Sequence, residues 1–436
     1  MHSHDASGDS RRSFWLRVRE FAVPPSMIEA ATVRRGAGDW AGACAAARVD
    51  VDLDLRAVAR SGGAELSARI RADLRHLAPD LLRWHMPRIA PDGLLRPGLT
   101  VSLARYGPAG GGGVHLVART PPAWADAGQR ISLALWDGAP RGAVPHPHPH
   151  PDQRFRLDLH PHLWDARRAG ELRIRAGRGG TAPGVPPGLG CAADRWAEEA
   201  AILRHAEGRP GCAVTVRLGA RHRLVVGADG HVTAGPARGR GPILPDAATW
   251  VPPDVELLRA GLLDADRLHP LVAAALAPDR PRAGRAPGGP GDPGAPRIVE
   301  CRGDRHRIGL VDGVLVALDH DPGEIRREEL LAALGGPPLP CLQAIDEAHR
   351  RPECLADVRG RLDHGDAAGA LAVVEGLLGA DAVLRHGALR EELETAALRQ
   401  VAHGLFRAGL AGTGPGPAHR TGRRVSRSHP RHASSR

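Results

Sequence analysis

Residues 278–296 read PDRPRAGRAPGGPGDPGAP, a run of proline, glycine and charge with almost nothing to bury. Such a segment cannot join a hydrophobic core and reads as a linker. It obliges the chain to fold in separate parts, and 436 residues suffice for two or three domains.

Ahead of the linker, residues 1–98 pattern mostly as helix. In ELSARIRADLRHLAPDLLRWHM the apolar residues Leu66, Ile70, Leu74, Leu77, Leu81 and Trp84 recur at steps of three and four. That spacing predicts one apolar helical stripe, with a break at Pro79. Ser26 and Glu29 have the spacing of a capping box, and Asp39 is placed to cap a second helix, WAGACAAAR. Residues 99–277 predict a β-rich central α+β domain. LTVSLARY, VHLVART, RISLALW, FRLDLH, ELRIRA, CAVTVRL and HRLVVG all read as strands, with helices over 194–208 and 254–276.

Beyond the linker, residues 297–413 predict a β-meander followed by helices. The meander is RIVECRGDRHRIGLVDGVLVAL, with turns near Gly303-Asp304 and at Asp312-Gly313. The next helix opens with Asp321 as N-cap, Pro322 at the first helical position and Glu324 two residues on. Residues 414–436 are expected to be a disordered basic tail. The fold class is therefore α+β in several parts.

The chain also repeats itself. MIEAATVRRGAGDWAGACAAA (27–47) aligns without gaps onto CLADVRGRLDHGDAAGALAVV (354–374), sharing Gly-Asp-x-Ala-Gly-Ala. Each copy predicts a helix, a glycine stop, an aspartate cap and a small-residue helix, which together make an αα-hairpin. The two stretches resemble degenerate tetratricopeptide-type hairpins, units that stack into peptide-binding grooves. Two separated copies cannot build a solenoid by themselves.

Charge narrows the chemistry. All 59 basic residues are arginine; lysine and asparagine are absent, as a GC-rich genome would produce. Without lysine there is no Schiff base, Walker lysine or lysine general base. Nucleotide-hydrolysing P-loops of the ordinary type, pyridoxal-phosphate enzymes and typical protein kinases are excluded. The net charge is +10, and six of those charges lie in the tail from Ala418, so the rest of the chain carries +4. Arg420, Arg423, Arg424, Arg427 and Arg431 could engage nucleic acid or an acidic partner, and such binding would be salt-sensitive. Aromatic residues are 3% of the chain, too few and too scattered for a base-stacking platform.

Six cysteines without a CxxC pair read as buried free thiols in a reducing cytoplasm. The stretch SRRSF resembles a twin-arginine signal, but Arg17, Arg19 and Glu20 occupy the place of its apolar region. No segment is apolar enough to predict a membrane span.

Residues 145–164, PHPHPHPDQRFRLDLHPHLW, hold five histidines. His146, His148 and His150 alternate with proline and would diverge on a polyproline II helix. In FRLDLH the alternation predicts a half-buried strand with Asp158 and His160 on one face, continued by His162. Asp158, His160 and His162 are thus a partial ligand set, for which zinc is the fitting ion. Apart from that, no cofactor is predicted. DHD at 319–321 is explained by the cap at Asp321, and RGD at 302–304 by a hairpin turn.

DLRHLAPDLLRWHMPRIAPDGLL and HRIGLVDGVLVALDHDP resemble uncharacterised proteins of high-GC actinobacteria. The resemblance runs through most of the chain and implies a cytoplasmic bacterial protein without a known activity. With no catalytic motif in view, the sequence favours a non-catalytic interaction, scaffold or regulatory protein with a protein partner of acidic character and no membrane. The alternatives are a metal-binding protein or metal-dependent hydrolase using Asp158, His160 and His162, and a nucleic-acid-associated protein acting through its tail.

Overall fold

In the computed structural model the chain divides into a first unit, residues 1–283 with 402–436, and a second unit, residues 284–401. The structure describes residues 3–107, 113–138, 146, 148–186, 188–235, 241–279, 297–311, 314–350, 354–378 and 387–410. The Asp312-Gly313 turn, nearly all of the linker and the whole basic tail lie outside them. The fold is a multi-part α+β arrangement.

The first unit opens with helices Ser3–Phe21, Pro25–Gly36 and Trp40–Ala46, then strand β1 (Val49–Val51). Helices Leu55–His76 and Pro79–His85 follow. They carry the predicted stripe: Ile70, Leu74, Leu77, Leu81 and Trp84 are all buried, and Pro79 sits in the first turn of the second helix, where its missing N–H costs nothing. Full burial of each such side chain contributes roughly 1.5–3 kcal/mol. The expected capping box is not formed. Helix Pro25–Gly36 starts two residues earlier, with Pro24 as its N-cap and Pro25 in its first turn, and no side chain caps it.

After the short pair β2 (Arg88–Ile89) and β3 (Leu94–Leu95) come β4 (Thr100–Tyr106), β5 (Val114–Arg119) and β6 (Ile131–Trp136). The sheet order is β1-β6-β5-β4; β1 runs parallel to β6 and the remaining pairs are antiparallel. Its buried residues, Val101, Leu103, Leu116, Ile131 and Leu133, join one apolar cluster with the helices, which extends to Val272 and Ala275. A second cluster lies under β7 (Val214–Arg217), β8 (Arg223–Val226) and β9 (Val232–Ala234). There helix Trp196–Ala206 contributes Trp196, Ala200 and Leu203.

Two predicted strands are not strands. FRLDLH falls in the 3-10 turn Leu157–Leu159, with a second at Pro161–Leu163 just beyond it, and packs beside β4 with a lone ladder bridge, Ser102 to Arg156, among the described residues. Pro161 cannot donate to a ladder, and Leu157 and Leu163 are buried at a spacing that suits turns rather than a pleat. ELRIRA is a helical turn, Leu172–Arg175, that buries Leu172 and Ala176, four residues apart, and leaves Ile174 69% exposed, so burial follows the helical period and not the alternation.

In the second unit β10 (Arg297–Cys301), β11 (Asp304–Val311) and β12 (Val314–Ala317) form the predicted antiparallel meander. Cys301 pairs with Asp304 across Arg302 and Gly303, whose φ values of 56° and 92° are those of a tight hairpin turn. Asp321 caps helix Pro322–Ala333 by accepting from the amides of Gly323 and Glu324.

Both copies of the repeat are helical hairpins. In the first unit Asp39 accepts from the Gly42 amide at 2.8 Å and pairs with Arg34 at 3.0 Å. In the second, Asp366 accepts from the Gly369 amide and pairs with Arg361, both at 3.3 Å.

Candidate functional site

Where helix Pro79–His85 ends, the chain turns through Met86 and Pro87 into β2, and these residues form one wall of a cavity of about 210 Å³ in the first unit. Trp15, Phe155, Leu157, Leu163, Leu172 and Trp250 supply apolar surface from elements far apart in the sequence. Polar groups interrupt that lining at a few points, as expected of a small-molecule site.

His85 is the first of them. Its Nδ1 lies 3.1 Å from the Leu81 carbonyl oxygen and 3.2 Å from that of Leu163. Two carbonyl acceptors require the proton on Nδ1, which leaves a lone pair on Nε2. That Nε2 is buried without a partner, and His85 is among the residues that line the cavity. Burial lowers the His85 pKa to about 4, so the ring is neutral near pH 7. His162 stands in the 3-10 turn Pro161–Leu163, is 3% exposed, and also lines the cavity with an unpartnered nitrogen, Nδ1. Burial, then the neighbouring His160 and Arg175, push its pKa well below the usual imidazole range.

Five arginines complete the lining: Arg11, Arg88, Arg96, Arg154 and Arg175. Arg154 is held by Asp246 at 2.7 and 3.1 Å, Arg175 by Glu199 at 2.7 Å, and Arg11 by Glu256 at 3.4 Å. Burial raises the Glu199 carboxyl, but hydrogen bonds from His160 and Arg175 together bring it down to about 2. Arg96 lies over the Phe155 ring, 5.8 Å from its centroid. Arg88 donates only to backbone, the carbonyls of Arg83 (2.7 Å) and Gly93 (3.4 Å), while its Nε is buried without a partner. Desolvation, with Arg19 nearby, lowers its pKa to about 9, still cationic at neutral pH. The lining itself holds five guanidinium groups and one carboxylate, Asp246, a balance that favours an anion.

The predicted ligand set is spread over different partners. Asp158 accepts a two-pronged pair of hydrogen bonds from Arg156 at 2.8 and 2.7 Å. His160 places Nδ1 at 3.0 Å from the Arg156 carbonyl oxygen and Nε2 at 3.3 Å from Glu199. Of the three, only His162 opens on the cavity. Among the described residues, the group able to hold a metal is Cys301, His320 and Cys341. His146 and His148 lie along β4, where the Thr100 hydroxyl donates to the His148 carbonyl at 2.6 Å. Arg420, Arg423, Arg424, Arg427 and Arg431 are outside the described residues.

His85 and Arg88 were not legible as site residues. Their one local signal is the stretch WHMPR, where a histidine ends a helix just before a proline. No match is found for this chain among protein-family models, curated proteins or solved structures. Among the described residues, no helix is long and apolar enough to cross a membrane.

Proposed function

We propose that the first unit binds a small molecule with an apolar body, an anionic group and one hydrogen-bond donor. The observation that carries this reading is the pair of buried, unpartnered imidazole nitrogens, His85 Nε2 and His162 Nδ1, on two residues that line a largely apolar cavity together with Arg88. A buried acceptor without a donor costs roughly 1–3 kcal/mol, which a ligand N–H or O–H would recover. Arg88, held by carbonyls alone, suits a carboxylate, sulfonate or phosphate. Both imidazoles are poor general acids and bases near pH 7, because a useful catalytic pKa lies near the working pH. Binding without catalysis is the better match, which keeps the non-catalytic reading of the sequence and moves it from a protein partner to a small acidic ligand.

Anilinonaphthalene sulfonate combines rings, an N–H donor and an anion, so its fluorescence is a direct probe. We expect saturable binding to the folded protein, weakened about tenfold or more in His85→Leu and in Arg88→Met. Equal affinity in the wild type and both variants would sink the proposal.

A further inference from the structure

The meander of the second unit has very little to stand on. Among the described residues, the buried members of its apolar cluster are Cys301, Leu339 and Cys341, with Val299, Ala317, Ile325 and Leu342 partly covered, while Ile298 on β10 is 53% exposed. A patch this small does not hold a sheet to a helix through burial alone, and small units of this kind are commonly stapled by a disulfide or a metal.

The two cysteines sit at the centre of that patch. Cys301 ends β10 at the hairpin turn, and Cys341 lies in the first turn of helix Pro340–Arg350; both are fully buried. His320, between β12 and helix Pro322–Ala333, has a side chain only 3% exposed. One ligand atom from each of these three residues lies within 4.8 Å of the other two. Nearby, His306 on β11 sets its Nδ1 at 2.6 Å from His320 Nε2, with ring centroids 4.1 Å apart. The far nitrogen of His320, Nδ1, faces Glu324 Oε2 at 3.3 Å. A carboxylate there fixes the proton on Nδ1 and leaves Nε2 as a lone pair, the arrangement that commonly supports a metal-ligating histidine.

We propose that Cys301, His320 and Cys341 bind one zinc ion, with His306 as the side chain at hand for the fourth position. Two sulfurs with imidazole nitrogen are the donor set of structural zinc, whereas magnesium and calcium take oxygen ligands. On binding, the two thiols give their protons to solvent and the thiolates coordinate the ion. The ion would tie β10, the β12 exit and helix Pro340–Arg350 into one body. A Cys301–Cys341 disulfide is the rival staple.

The test is zinc content of the full chain, produced without a histidine tag and under reducing conditions, read by mass spectrometry. About one zinc per chain is expected, retained in His160→Ala with His162→Ala and lost in Cys301→Ser with Cys341→Ser. His306→Ala should weaken zinc binding by roughly 10–100-fold without abolishing it, and unchanged affinity would remove His306 from the site. Because the double serine variant could lose metal through misfolding, cobalt is added to chelator-treated wild-type protein as a second readout. Thiolate-to-cobalt charge-transfer absorption, displaced by zinc, supports the assignment. No zinc together with no such absorption overturns it, as does zinc that survives loss of both cysteines, or thiol counting that finds the pair joined in reductant.

Discussion

The cavity of the first unit and the cysteine–histidine group of the second are assembled in opposite ways. The cavity collects its lining from residues between Arg11 and Pro253 and rests on the larger apolar cluster of the unit. Its unpartnered atoms, His85 Nε2 and His162 Nδ1, are what a well-packed interior leaves over. The cysteine–histidine group lies between Cys301 and Cys341, with two of its own side chains among the buried described residues of the local core. In the first case packing creates the site; in the second the site would create the packing. Ligand binding should then be nearly dispensable for folding of the first unit, and metal binding nearly indispensable for the meander.

Chelation is the strongest way to break that contrast. Removing the ion should cost the meander and helix Pro340–Arg350 about 5 kcal/mol or more of protection, read by amide hydrogen exchange. Exchange in β4–β6 should stay unchanged, and equal loss in both units would erase the distinction.

Acid should act in the other direction, on the cavity. His85 has a pKa of about 4 in the folded protein, below the ordinary 6.5. The unfolded chain therefore takes up a proton that the folded chain refuses. Stability from this group is full above pH 6.5 and falls as the pH drops toward 4, by roughly 2–3 kcal/mol over the window. His162 is shifted the same way, so a His85→Leu variant isolates the His85 share of the slope in urea unfolding at stepped pH. An unchanged slope in that variant would mean that His85 does not titrate as its burial requires.

The two hairpins give the smallest and most closely matched comparison. Asp39→Ala and Asp366→Ala each remove a helix cap and an arginine pair, and each should cost its own unit about 1 kcal/mol. Thermal unfolding of the two variants checks this; a much larger loss at either position would show that the aspartate does more than cap.

Features fixed by near neighbours were legible in the sequence. The Leu66–Trp84 stripe, the Asp39 and Asp321 caps, and strands β4 to β8 all follow from residues a few positions apart. The same holds for the meander, including the Cys301–Asp304 turn. FRLDLH misleads because alternation over six residues also fits two turns, and only the burial of Leu157 and Leu163 decides between them. The Ser26–Glu29 box loses to the proline pair just before it. Candidate sites were harder to read. Asp158 and His160 are near in sequence to His162 yet are claimed by Arg156 and Glu199, while His162 lines the cavity. Cys301, His320 and Cys341 lack any recognisable spacing and meet only because a meander and a helix fold onto each other. His85 and Arg88 acquire meaning from what fails to pair with them, which no local pattern encodes.

The capped hairpin also yields a search string. In both copies an arginine stands five residues before the aspartate and a glycine three after it: Arg34, Asp39, Gly42 and Arg361, Asp366, Gly369. A methyl group on Gly42 would come within 2.0 Å of Asp39 Oδ2, and one on Gly369 within 2.1 Å of Asp366 Oδ2. The carboxylate and the guanidinium paired with it together occupy the space where a side chain would be, Arg34 Nη1 lying 2.7 Å and Arg361 Nη1 2.9 Å from those methyl positions. Arginine, aspartate and glycine thus form a single inheritable word, R-x-x-x-x-D-x-x-G, in which a change to one letter removes the reason for the other two. Divergent copies of this hairpin should keep the word whole or lose it whole.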